Sequence, residues 1–98
     1  MNSKPSEKQL ERYLVNECKK RNILCFKFVS PQHAGVPDRI CFYQGRTICI
    51  ECKKHNGVLS ALQKACIRQL QQQNIPVFVT YTKEDIDAVI NHIVTHCK

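Results

Sequence analysis

The chain has 98 residues, of which 15 are Lys or Arg and 8 are Asp or Glu, giving a formal net charge of +7. This length allows one domain of ordinary size and excludes a large multidomain enzyme, while 43% hydrophobic and 23% charged residues exclude a disordered or fibrous chain. No apolar run approaches the roughly 20 residues of a membrane span and no secretion leader is apparent, so we expect a single soluble, cytoplasmic domain over residues 1–98.

A first helix is predicted from Glu7 to Lys20, with Ser6 as its N-cap. Its apolar face repeats at four-residue spacing and consists of Leu10, Leu14 and Cys18. At about 100° per residue, Glu7 falls on this buried stripe. A carboxylate there either meets a cation or a metal, or simply complements the helix dipole in solvent as the first helical residue.

Three strands are predicted next, at residues 23–29, 38–43 and 47–53. The segment 30–37 contains prolines and a glycine and is predicted to form a loop. A turn at Gln44-Gly45-Arg46 makes the second and third strands an antiparallel hairpin. Its register places Asp38 opposite residue 51 or 52.

A second helix is predicted to open at Ser60 and Gln63, which have the spacing of a capping box, and to end near Gln73. Its apolar face is formed by Leu62, Cys66 and Leu70. A strand at 77–81 and a final helix capped by Thr82 follow, the helix having an apolar face of Ile86, Val89, Ile90, Ile93 and Val94. The order αβββαβα predicts an α/β fold, a mixed central sheet flanked by helices.

The seven cysteines are expected to be reduced thiols, because their number is odd and no leader directs export. Cys49 and Cys52 form a C-x-x-C, but residues three apart on a strand face opposite sides and cannot close on one metal. We therefore expect no zinc. A cysteine-based redox or zinc protein is the third functional hypothesis, which metal analysis and thiol titration would test.

An acidic and basic cluster is predicted at the open end of the hairpin. Strand alternation puts Glu51 and Lys53 on one face, with Asp38 across from them. Two carboxylates form the hard oxygen environment that Mg²⁺ or Mn²⁺ prefers, and an adjacent lysine can orient water. This set suits phosphodiester hydrolysis; the alternative is a strand-capping Asp and a surface Glu–Lys pair, which are common and contribute little.

The motifs around this cluster resemble those of the VRR-NUC family, the virus-type replication-repair module of the PD-(D/E)XK nuclease superfamily. In chain order they are Ser6-Glu7, Lys27-Phe28-Val29-Ser30-Pro31, Gly35-Val36-Pro37-Asp38-Arg39, Glu51-Cys52-Lys53, Gly57-Val58-Leu59-Ser60 and Gln63. The resemblance extends from Glu7 to about Tyr81. It implies a restriction-endonuclease-like αβββαβα core.

The resemblance also implies roles for single residues. Asp38, Glu51 and the main-chain carbonyl of Cys52 would bind Mg²⁺ or Mn²⁺, and Lys53 would position or activate the attacking water. Gln63 would complete the site, and Glu7 would reach in from the first helix, toward a second metal. For Gln63 the capping-box interpretation competes, since a side chain committed to the Ser60 N–H would not reach substrate.

By the same resemblance we expect a metal-dependent DNA endonuclease that is selective for branched DNA, such as Holliday junctions or flaps, and acts as a homodimer. The positive net charge agrees with a phosphate polymer as substrate. Candidate DNA contacts are Lys27, Arg39, Lys54 and Lys64; the Lys27 stem could instead pack between its aromatic neighbours. The runner-up is a non-catalytic DNA-binding module with the same fold.

Overall fold

The computed structural model describes residues 4–95. Within them the elements follow the predicted order: α1 (Glu7–Lys20), β1 (Leu24–Lys27), β2 (Arg39–Tyr43), β3 (Arg46–Cys52), α2 (Ala61–Gln72), β4 (Val77–Thr80) and α3 (Lys83–Thr95). All three predicted caps are confirmed, since the hydroxyls of Ser6, Ser60 and Thr82 each accept a backbone N–H from three residues further on. Local capping chemistry therefore determines where the helices begin.

The four strands form one sheet in the order β1-β2-β3-β4. The first three strands are antiparallel, and β4 lies parallel to β3 because α2 carries the chain back across the sheet. The β2–β3 turn consists of Gln44 and Gly45, at φ 47° and 84°, the positive values that a two-residue hairpin loop requires. The mixed sheet of the predicted fold is confirmed.

The main core lies on the face of the sheet that α1 and α3 cover. It contains buried side chains from both helices and from the sheet, namely Leu10, Leu14, Cys18, Ile23, Cys41, Ile48, Ile50, Cys52, Ile86, Val89, Ile90 and Ile93. Cys49 is buried outside this cluster. Burial and the nearby Cys66 of α2 raise the pKa of the Cys49 thiol, so Cys49 lies on the α2 side of the sheet. Cys49 and Cys52 thus face opposite sides of the sheet, as predicted.

One predicted burial pattern is wrong. Leu62 was expected on the apolar face of α2, but 60% of it is exposed, because the first turn of α2 packs its backbone against the loop that contains Gly35. For Glu7 the sequence left two alternatives open, and its exposed position at the first turn of α1 agrees with the one that placed it in solvent. Among residues 4–95, no helix has the length and apolar character needed to span a membrane.

Candidate active site

Asp38 and Glu51 are held together where β2 and β3 open. The register pairs Arg39 with Ile50, so the preceding residue, Asp38, lies across from Glu51. The Asp38 N–H donates to Glu51 Oε1 at 3.1 Å, and the Cys52 N–H donates to Asp38 Oδ2 at 2.9 Å. The predicted pairing of the two acids is confirmed, and two reciprocal backbone contacts fix it.

The electrostatics of this pair are unfavourable without a cation. Glu51 is only 3% exposed, and burial followed by repulsion from Asp38 raises its pKa to about 7. Burial also raises the pKa of Asp38, which is half-buried, against the lowering effect of the Cys52 N–H. Two partly desolvated acids side by side are typical of a functional site.

Gln63 combines the two roles that the sequence analysis treated as exclusive. Its Oε1 accepts the Ser60 N–H at 2.8 Å, which completes the capping box, while its Nε2 donates to Glu51 Oε2 at 3.1 Å. The cap and the contact with Glu51 coexist because an amide has a separate donor and acceptor. The cap orients the amide toward the carboxylate.

The loop before Asp38 is fixed by close packing at Gly35. Gly35 has φ +90°, and a Cβ there would lie 2.6 Å from the Leu62 carbonyl carbon and oxygen and 2.9 Å from the Gln63 nitrogen. No L side chain fits this position without moving backbone. Glycine therefore lets the loop that leads into Asp38 lie against the start of α2, which carries Gln63.

Lys53 follows the end of β3 and lies beside the acids. Its N–H donates to the Thr80 carbonyl at 2.8 Å, and its aliphatic stem runs past Gly57, where a Cβ would be 3.5 Å from Lys53 Cβ and Cδ. Its charge acts to lower the pKa of Glu51, although burial and Asp38 outweigh it. The Lys53 charge is therefore near enough to act on Glu51.

Glu7 lies at the margin of the site. Its Oε2 accepts the Lys54 N–H at 3.4 Å, and its charge acts to raise the pKa of both Asp38 and Glu51. α1 therefore brings Glu7 to the end of the sheet that carries the two acids. Its side chain is exposed there.

Glu11 was not predicted as a site residue and links α1 to the first two strands. Its Oε2 accepts from Lys27 Nζ at 3.0 Å and from Arg39 Nε at 2.7 Å. Burial by itself raises the pKa of Glu11, but these two hydrogen bonds outweigh it and the pKa is lowered. Lys27 and its register partner Arg39 both project from the face of the sheet that α1 covers. The Lys27 stem therefore does not pack between Phe26 and Phe28. The only sequence signal for Glu11 is its place one turn after Glu7.

The donor set fits a hard divalent cation. Carboxylate and carbonyl oxygens are the ligands that Mg²⁺ and Mn²⁺ prefer, and Asp38, Glu51 and the Cys52 main chain supply them at one end of the sheet. The buried Glu51 and the half-buried Asp38, both with raised pKa values, gain most from such an ion. The residues present therefore fit the predicted metal.

Comparisons with known proteins identify relatives of this chain in sequence and in fold. Over 48 residues the chain is 44% identical to "Putative nuclease p44" of Acyrthosiphon pisum secondary endosymbiont phage 1, and the match spans 48% of this chain and about half, 52%, of that protein. Two solved structures, named "VRR_NUC domain" and "VRR_NUC domain protein", have TM-scores of 0.80 and 0.75 at 19% and 21% identity. They cover 90% and 94% of this chain, and the matches span 98% and 90% of the solved chains, which shows a shared fold.

The family comparison spans most of the sequence. A model of the VRR-NUC domain matches residues 1–84, which include every element from α1 to β4 and all the residues of the candidate site. The predicted family is confirmed: the chain belongs to the VRR-NUC domain family.

Proposed function

We propose that this chain is a nuclease that hydrolyses phosphodiester bonds in DNA with Mg²⁺ or Mn²⁺ as cofactor. The observation that carries the proposal is the pairing of the buried Glu51 with the half-buried Asp38, near Lys53. Membership of the VRR-NUC family and the phage relative named as a nuclease support the same activity. The metal and the substrate are inferred from the chemistry of the site and from the charge of +7.

Each site residue has a defined task in this proposal. Asp38, Glu51 and the Cys52 carbonyl hold the cation, which when bound lowers the pKa of a water molecule and polarises the phosphate. Gln63 fixes the rotamer of Glu51 through its 3.1 Å hydrogen bond. Lys53 orients the attacking water or offsets the charge that develops on the phosphate. Glu7 is proposed to bind a second cation.

The proposed DNA contacts surround this end of the sheet. Lys54 and Lys64 are exposed next to the site and are proposed to bind backbone phosphates. Lys27 is 57% exposed, so its ammonium can contact phosphate while it remains near Glu11. Arg39 is 20% exposed, and its guanidinium forms an ion pair with Glu11. A phosphate would therefore have to compete with the Glu11 carboxylate for this guanidinium.

A cleavage panel tests the proposal. Purified protein is incubated with a four-way junction, a flap, a splayed arm and a plain duplex, each with Mg²⁺, with Mn²⁺ and with EDTA. We propose that the branched substrates are cut faster than the duplex and that EDTA stops cleavage. Binding without cleavage in both metals would favour the non-catalytic DNA-binding module, and equal cutting of all four substrates would reject branch selectivity.

Metal binding is expected to weaken as the solution becomes acidic. Glu51 must be ionised to bind a cation, and its pKa of about 7 makes protons compete in the neutral range. Below pH 7 the Mn²⁺ dissociation constant is expected to rise by about tenfold per pH unit, because one proton is displaced. Calorimetric Mn²⁺ titrations at pH 8, 7 and 6 measure this change; an unchanged affinity would contradict the assignment of Glu51 as a ligand.

We also propose that the chain acts as a homodimer through the face of β1 and β2 opposite α1. Leu24 and Phe26 of β1 are 52% and 51% exposed there, and they pair with Phe42 and Ile40 of β2. This apolar patch lies on the edge strand β1 and its neighbour β2, and covering it would remove apolar surface from water. Two copies paired in this way would present two active sites to a branched substrate.

Phe26→Asp is expected to convert the dimer to a monomer, because it places a charge in the proposed interface. The molar mass from light scattering measures the effect, with far-UV circular dichroism as a check on folding. Ala88→Asp, on the exposed side of α3, is the control and is expected to remain dimeric. A monomeric wild type, or a dimeric Phe26→Asp variant, would reject this interface.

A further inference from the structure

Three cysteines from three elements meet on the α1 face of the sheet, the side opposite Glu51. Cys18 of α1 and Cys41 of β2 are buried, and Cys25 of β1, the register partner of Cys41, is half-buried. Their three sulfur atoms all lie within 4.8 Å of one another. Among residues 4–95, no other group of three or more His, Cys, Asp or Glu side chains has this spacing.

This spacing is close to what one metal ion requires. Sulfur ligands that lie about 2.3 Å from the metal in a tetrahedral site are about 3.8 Å from one another. Each sulfur–sulfur distance in the cluster therefore has to shorten by at most about 1 Å on metal binding. A helix and two paired strands supply the ligands, and such elements hold side chains more rigidly than loops do. Cys25 is the least buried member of the cluster.

Two basic side chains lie beside the cluster, since Lys27 and Arg39 are the next paired residues on the same face of β1 and β2. Hydrogen bonds with the Cys18 and Cys41 thiols, aided by the Arg39 charge, lower the pKa of Cys25 below its ordinary value. Hydrogen bonds within the cluster and burial raise the pKa values of Cys18 and Cys41, so metal binding must displace their protons. One Zn²⁺ with three thiolates has a net charge of −1, which the net positive charge of Lys27, Arg39 and their shared partner Glu11 offsets.

We propose that Cys18, Cys25 and Cys41 form a second metal site, which binds Zn²⁺ through three sulfur atoms with water in the fourth position. As three Zn–S bonds form, each thiol that is still protonated releases its proton to solvent. The site is independent of the proposed nuclease activity. The expectation of no zinc was drawn from Cys49 and Cys52, and for that pair the geometry agrees with it.

Zinc at this cluster would join the end of α1 to β1 and β2. These are the same elements that the Glu11 ion pairs connect. A ligand that binds only the folded state stabilises it, so the melting temperature of the reduced protein should rise with zinc concentration. Mg²⁺, which avoids sulfur ligands, should not produce this rise through the cysteines.

Cobalt provides the spectroscopic test. The reduced, EDTA-treated full chain is titrated with Co²⁺, and a thiolate-to-cobalt charge-transfer band that saturates at one equivalent and is removed by Zn²⁺ is expected. Cys25→Ser should lose most of this band, whereas Cys66→Ser, at a buried cysteine outside the cluster, should keep it. Asp38→Asn should also keep it, which separates this site from the proposed active site. A missing band, or one that Cys25→Ser leaves unchanged, would overturn the proposal.

A measurement on the wild type covers the case in which Cys25→Ser does not fold. Alkylation by iodoacetamide is followed at each cysteine by mass spectrometry, with and without Zn²⁺. Zinc is expected to slow modification of Cys25 at least tenfold, while Mg²⁺ leaves its rate unchanged. Equal rates of Cys25 modification with and without Zn²⁺ would overturn the proposal.

Discussion

Asp38→Asn is expected to abolish cleavage and yet to stabilise the metal-free protein. The asparagine carbonyl can still accept the Cys52 N–H, so the local fold is kept, but one metal ligand is lost. A bound metal contributes several kcal/mol to transition-state stabilisation, so cleavage should fall at least about a thousandfold. Removing the charge of the half-buried Asp38 relieves the repulsion on Glu51 and should add on the order of 1 kcal/mol to the free energy of unfolding, roughly 4–8 °C in Tm.

The pH dependence identifies the cause of this stabilisation. The pKa of Glu51 rises from 4.5 to about 7 on folding, so its ionised form is penalised above pH 7 and the penalty disappears below about 4.5. The stability gain of Asp38→Asn should therefore be present at pH 8 and should shrink as the pH falls toward 4.5. Thermal melts in EDTA at several pH values measure it.

Glu84→Gln is the matched control for Asp38→Asn. It changes the net charge by the same amount at an exposed position in the first turn of α3. Its free energy of unfolding should change by no more than a few tenths of a kcal/mol, with a correspondingly small shift in melting temperature. Cleavage should be unaffected. If Asp38→Asn melts below the wild type at pH 8, or still cleaves at the wild-type rate, the assigned metal site is incorrect.

The sequence predicts the paired acids because the hairpin register depends on local information. A two-residue turn at Gln44-Gly45 fixes which residues face each other, and strand alternation then brings Asp38 and Glu51 to the same face. The capping boxes at Ser6 and Ser60 are equally local, since the paired residues are three apart in sequence. These features follow from spacing alone.

Features that depend on long-range packing could not be predicted in the same way. An eight-residue loop separates the predicted first and second strands, so no tight turn fixes the register that pairs Cys25 with Cys41. The approach of Cys18 depends further on how α1 crosses the sheet. Periodicity likewise predicted burial for Leu62, because it indicates one face of a helix but not how much of that face a neighbour covers.

Lys53→Met is expected to slow cleavage while leaving metal binding intact. Methionine keeps an apolar stem that can run past Gly57 but removes the ammonium group beside Glu51. A group that orients water or offsets charge in the transition state contributes about 10²- to 10³-fold, so the single-turnover rate should fall by that factor. Because Lys53 is not a metal ligand in this proposal, the Mn²⁺ dissociation constant at pH 8 should change by less than about twofold.

Lys54→Met separates this specific role from general attraction of DNA. Lys54 is the adjacent residue, is exposed, and contacts the site through its backbone N–H, which the substitution retains. Loss of a phosphate contact should weaken DNA binding and reduce its salt dependence, whereas the rate at saturating DNA should remain within about twofold of the wild type. Equal losses of saturating rate in the two variants would mean that Lys53 contributes only positive charge. A lower rate in Lys53→Met alone, with unchanged Mn²⁺ affinity, would assign the chemical step to its ammonium group.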